Sequence, residues 1–437
     1  GTGNEGNNAT PQHALTMYGN ITNDGQIKFF DPTDPEFDEA FYGLSYPIPS
    51  TDIHRNIYQG NAVTVTFSGA ANKTVTCNNK TDFYRFVLDK GTGQHAILTV
   101  NSSNTANFRL FGPSNKLPNN PTGNTWEEYS ANALSIINGT LELTGSINIP
   151  NLCVGVAAND YFPIPRNGAL WLNGDDVTVN LSDLNPQMVN ATDGKDGRIL
   201  MSGLLRISAG TLNGGFSKGL GSQDGGAYLQ EGGTVNIWQL RPKAVGTGIF
   251  SFTQTGGVMN VGYGFGLSGG VIDQYEVLYA RFDLNPAAST FQMSGNAVLN
   301  IAKPTSNNAT SGLFRVGSSV GNYNVTGGTV NFYTGEKATG VSFAGRINST
   351  VPFYNLNIYE ESATTDNAQL QTNSLVVLNN FSINTGNNPT FIANNLDVTV
   401  GGNFTINTGT TYQPGTGVTT FNGSGAQAWT HDGTITG

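Results

Sequence analysis

Charge is what this sequence has least of. Asp, Glu, Lys and Arg together make up 11% of the 437 residues, less than half the usual share of a soluble protein. Helix surfaces are normally built from Glu, Lys, Arg, Gln and Ala, so their scarcity argues against an α-rich fold. Basic residues are the scarcer sign, 20 against 30 acidic ones, for a net charge of −10. Nucleic-acid binding needs clustered Lys and Arg and is therefore excluded. No apolar run reaches the 18 residues of a membrane-spanning helix. Cysteine is nearly absent: Cys77 and Cys153 are too few for a disulfide framework and fit no metal-binding spacing. About three coils of the repeat described below separate them, beyond disulfide reach, and both read as small buried hydrophobes. Four histidines, His13, His54, His95 and His431, stand singly.

What fills the space is Gly, 57 residues of it, together with Asn and Thr. These are poor helix formers and good turn and strand-surface residues. They also recur in register. Gly-containing turns lead into short strands in which Asn sits between two apolar residues: Leu212-Asn213, Val235-Asn236-Ile237, Met259-Asn260-Val261, Leu299-Asn300-Ile301 and Val330-Asn331-Phe332. The asparagines step by 23, 24, 40 and 31 residues. A unit near 23 residues, lengthened in places by inserted loops, accounts for all four steps. The same step separates Asn380-Phe381-Ser382-Ile383 from Asn403-Phe404-Thr405-Ile406.

Apolar residues at every second position mark half-buried strands. A unit this short cannot bury its apolar face alone, so successive units must stack, strand beside equivalent strand. The expected fold is all-β, a right-handed parallel β-helix (β-solenoid) with inserted loops. Tandem sandwiches and propellers have other periods. One continuous β-helical segment over 1–437 is expected, with insertions near 31–56, 104–130 and 303–312. Gly1 in place of an initiator Met, and a pattern still running at Gly433–Gly437, suggest a piece of something longer.

In such a coil Val235 and Ile237 point inward and Asn236 outward, and likewise for Asn260, Asn300 and Asn331. An outward asparagine column could hold an extended glycan, or could simply solvate the sheet while bonding its counterparts in neighbouring coils. Trp238 and Tyr333, two residues after their asparagines, are expected outward by the same parity, where rings stack on sugars. Acidic stretches at 31–39, Asp175-Asp176 and Asp193–Gly197 offer oxygen ligands for Ca2+, but none matches a known calcium loop. No other cofactor or metal is expected. Glycoside hydrolysis needs paired carboxylates, and the strand acids Glu142 and Asp397 lie far apart in sequence. No catalytic constellation can be read, and an enzyme is not expected.

LDVTVGGNFTIN over 396–407, VTTFNGSGAQ over 418–427 and FSGAANKTV over 67–75 resemble repeats in giant cell-surface proteins of Bacteroidota exported by the type IX secretion system, among them gliding-motility adhesins. That resemblance implies a non-catalytic structural or adhesive segment at the bacterial cell surface. Its partners would be surface glycans or other surfaces, further parts of the same long chain, and cell-surface or secretion proteins. The alternatives are a carbohydrate-binding β-helix module and a polysaccharide lyase or hydrolase.

Overall fold

The computed structural model describes residues 13–29, 63–110, 133–150, 152, 161–181, 198–214, 219–242, 248–262, 281–302, 312–332, 344–359, 367–384, 386 and 388–437. Every regular element among them is a strand, and every strand pairing given below is parallel. The fold is an all-β parallel β-helix. Its described residues divide into two compact units, Gly1–Ile199 with Gly203–Asn213, and Leu200–Ser202 with Gly214–Gly437.

In the first unit the strands Val63–Ser68, Arg85–Asp89, Leu134–Gly145, Gly168–Leu172 and Leu204–Ile207 follow one another side by side. Leu134–Gly145 runs for 12 residues and changes partner on the way, from Arg85–Asp89 to Ile97–Ser102. The change needs a kink. The register shifts between Ile136 and Asn138, and Gly139 follows at φ 93°, where any Cβ would also meet Ala96 O at 2.8 Å. Only glycine fits there without strain.

In the second unit Thr234–Ile237, Val258–Val261, Val298–Ile301, Thr329–Phe332 and Asn355–Ile358 stack in exact alignment of the repeat, Val235 on Met259, Leu299, Val330 and Leu356. All five lie within 2% of full burial. A second sheet carries Tyr228, Phe252 and Phe291 at one register position. Their rings stack inside the coil at 5.3 and 5.4 Å between centroids, nearly parallel. A third supplies Phe282 and Phe314, stacked at 5.2 Å, and Phe282 meets Phe252 edge-on. Both geometries suit the quadrupole of the ring.

Two charged groups buried in the first unit, Asp82 and Lys90, are bonded. Arg109 grips Asp82 through two nitrogens, each at 2.7 Å, and Asp82 is 1% exposed. The Lys90 ammonium donates to the carbonyls of Ser68, Gly69 and Ala71 at 3.3, 3.1 and 2.8 Å. Those three oxygens lie in the turn that follows Val63–Ser68, and together they take the place of the water that the buried ammonium has lost. Burial lowers the Lys90 pKa.

Of the expected insertions, 31–56, 111–130 and 303–311 lie outside the described residues. Residues 104–110 are not all loop: Phe108–Leu110 is a strand paired with Thr81–Phe83. Phe108 and Leu110 fill the core, and a three-residue strand is too short for alternation to show in sequence.

Cys153 also lies outside the described residues. Cys77 is a fully buried free thiol, and desolvation pushes its pKa up to about 11, against a smaller opposing effect of Thr81. The thiolate is the reactive form. A Cys153→Ser chain should therefore show no native thiol titre toward an aromatic disulfide reagent at pH 8, and one full equivalent in denaturant. A rapid native reaction would mean that the coil around Cys77 opens readily.

Candidate functional site

The parity that buries Val235 and Ile237 turns Asn236 outward, and the parallel register then sets Asn236 beside Asn260, Asn300, Asn331 and Asn357. Their amides form one chain of hydrogen bonds. Asn260 Nδ2 donates to Asn236 Oδ1 at 2.7 Å, and Asn300, Asn331 and Asn357 each donate to the asparagine before them at 2.8 Å. Every amide thus points the same way along the stack. The first unit carries a shorter version, Asn213 to Asn180 at 3.0 Å and Asn180 to Asn148 at 3.3 Å. All four predicted asparagines are therefore brought together, and Asn357 joins them. They are half-buried, with an outer edge left to solvent.

Trp238 departs from the expectation. It is 6% exposed, and the Arg281 guanidinium lies 3.9 Å from its ring centroid. The strand ends at Ile237, so Trp238 sits in the corner that follows, where period-2 parity no longer fixes direction. Its ring is a partner for a buried cation rather than an open platform. Tyr333 lies outside the described residues.

A second outward row lies in the first unit and went unread in the sequence. Thr99, Glu142, Trp171 and Arg206 occupy successive rungs. Glu142 accepts from Thr99 Oγ1 at 2.6 Å through one oxygen and from Asn173 Nδ2 at 2.7 Å through the other. Trp171 Nε1 donates to Ser208 Oγ at 2.9 Å, and Arg206 lies 4.1 Å over the ring. Both carboxylate oxygens and the indole N–H are thus held by neighbours. Asp397, in the second unit, accepts from the backbone N–H of Val418 at 2.8 Å.

No protein-family model matches the chain, and no curated protein or solved structure is significantly similar to it. The chemistry of the site must be argued from its own geometry.

That geometry contains no cluster of three or more His, Cys, Asp or Glu able to hold a metal among the described residues. Asp175 and Asp176 are exposed at a turn, while the acidic stretches 31–39 and 193–197 lie outside the described residues. His13, His95 and His431 are exposed, and His54 is outside the described residues. What the ladder faces can do is present regularly spaced, uncharged hydrogen-bonding edges, with their side chains held in place by the coils on either side.

Proposed function

We propose that this chain is a non-catalytic structural and adhesive segment of a large extracellular surface protein, working in attachment or in gliding movement on a bacterial cell surface. The observation that carries the reading is the asparagine ladder. Its side chains bond from coil to coil, which suits a repeat whose task is to extend and to present a surface. The outward acids Glu142 and Asp397 are engaged by neighbouring groups. Among the described residues no helix is long and apolar enough to cross a membrane. Adhesion would rest on many weak contacts along exposed strands, strengthened by multivalency. Its partners would be surface glycans or other surfaces, other parts of the same long chain, and the type IX export apparatus.

Deleting the coding region for residues 1–437 in the source organism tests this. Surface attachment or movement should fall while polysaccharide breakdown continues at the parental rate. Loss of a glycan-degrading activity with attachment intact would replace the reading with a polysaccharide lyase or hydrolase.

A further inference from the structure

We infer that the outward strip of the second unit over Val258, Val298 and Thr329 together with Asn260, Asn300 and Asn331 binds one chain of an extended, neutral, β-linked polysaccharide lying along the stack, one sugar to a rung. This rests on the adhesive reading above and names its ligand class and site.

The strip is two residues wide and repeats once per coil. Val258 aligns with Val298 and Thr329, and Asn260 with Asn300 and Asn331. All six are half-buried, with an outer edge in solvent. A primary amide offers two N–H donors and two acceptor lone pairs. Within the ladder Asn260, Asn300 and Asn331 each use one N–H toward the rung before and one lone pair toward the rung after. One donor and one acceptor per rung remain, on an amide already fixed by its neighbours. A ligand therefore meets a preorganised row, with little side-chain entropy to lose on binding.

The spacing selects the ligand. Parallel strands in a sheet repeat at about 4.8 Å, close to the length of one pyranose in an extended β-linked chain. Successive sugars of such a chain are turned over, so the amide column would meet a hydroxyl pair and a hydroxymethyl group by turns, while the C–H faces lie against the methyl groups of the Val258, Val298 and Thr329 column. Charge selects further. None of the six residues is charged, and the chain carries a net −10, so an acidic polysaccharide would gain no ion pair and would meet repulsion. Contacts of this kind are weak singly and add along the row.

The test is affinity electrophoresis of the 437-residue chain through gels containing a soluble mixed-linkage β-glucan, a xyloglucan, or alginate as the acidic comparison. The neutral gels should retard the wild type and the alginate gel should not. Val298→Lys and Thr329→Lys each place a long charged side chain on the strip without touching the core, and each should weaken retardation roughly tenfold, as loss of part of a multivalent row implies. Thr399→Lys, outward on Val398–Val400 and off the strip, should bind as the wild type does. Thermal unfolding by circular dichroism shows that a variant is folded; if one strip variant is not, the other decides.

Failure of the wild type to bind either neutral glycan would overturn the inference. So would unchanged retardation of a folded strip variant, or equal retardation by alginate. A chain that binds no neutral glycan, but whose deletion still abolishes attachment, removes this ligand and leaves the adhesive function standing. If deletion leaves attachment intact, the adhesive function itself falls, whatever the gels show.

Discussion

Val235→Asp should lower the melting temperature of the second unit more than any single change at the neighbouring outward positions. Val235 is fully buried between the rungs, with Met259 stacked on it in register. A carboxylate there has no water, and burying an unpaired charge costs several kcal/mol. The carboxyl would take up a proton to avoid ionisation, so part of the lost stability should return at acidic pH, where the group is neutral in both folded and unfolded chains. Asn236→Asp provides the comparison, since it sits one residue away but half in solvent, and should cost far less. Thermal unfolding by circular dichroism at pH 7 and pH 4 reads both. Wild-type melting of Val235→Asp at pH 7 would show that the inward side of this strand has been misplaced.

Phe252→Ala should be nearly as damaging by a different mechanism. Phe252 stacks between Tyr228 and Phe291 and takes the edge of Phe282. Truncation removes all three ring contacts and leaves a cavity that strands locked in a parallel ladder can close only partly. Losses of about 3–5 kcal/mol are typical of such truncations. Phe252→Leu keeps most of the volume and should recover much of this. Chemical denaturation of the three chains, followed by tyrosine and tryptophan fluorescence, measures the difference. If Ala and Leu at this position proved equally stable, the stack would be packing loosely and contributing little.

How far the sequence could be read depended on whether the information was local. The strand containing Val235 and Asn236 announced itself, because Gly-Gly turns and alternation lie within a few residues of one another. The asparagine column followed from parity alone. Whether its amides faced a ligand or each other could not follow, because that depends on which coil lies alongside. The Glu142 row shows the same limit more sharply. Its partners Thr99 and Asn173 are 43 and 31 residues away, with loops of unequal length between, so no fixed period links them. Trp238 failed for the opposite reason: a local rule was carried one residue past the end of the strand that justified it. Lys90 was invisible for a third reason, since a lone lysine near a strand end reads as solvated. Its burial reflects three carbonyls in a turn about 20 residues earlier.

The ladder asparagines are separated by 24, 40, 31 and 26 residues, yet their side-chain bonds span only 2.7 to 2.8 Å. Rung geometry is thus independent of how much chain lies between rungs. Loop closure grows only logarithmically with length, each doubling costing about 0.6 kcal/mol. A peptide epitope or a small folded domain inserted between Val261 and Phe282 would therefore leave the bond from Asn300 to Asn260 undisturbed. The coils act as a ruled spine on which cargo of arbitrary length can be hung at fixed intervals, and lineages carrying this architecture are free to diversify by gaining and losing inserts while the rungs stay the same.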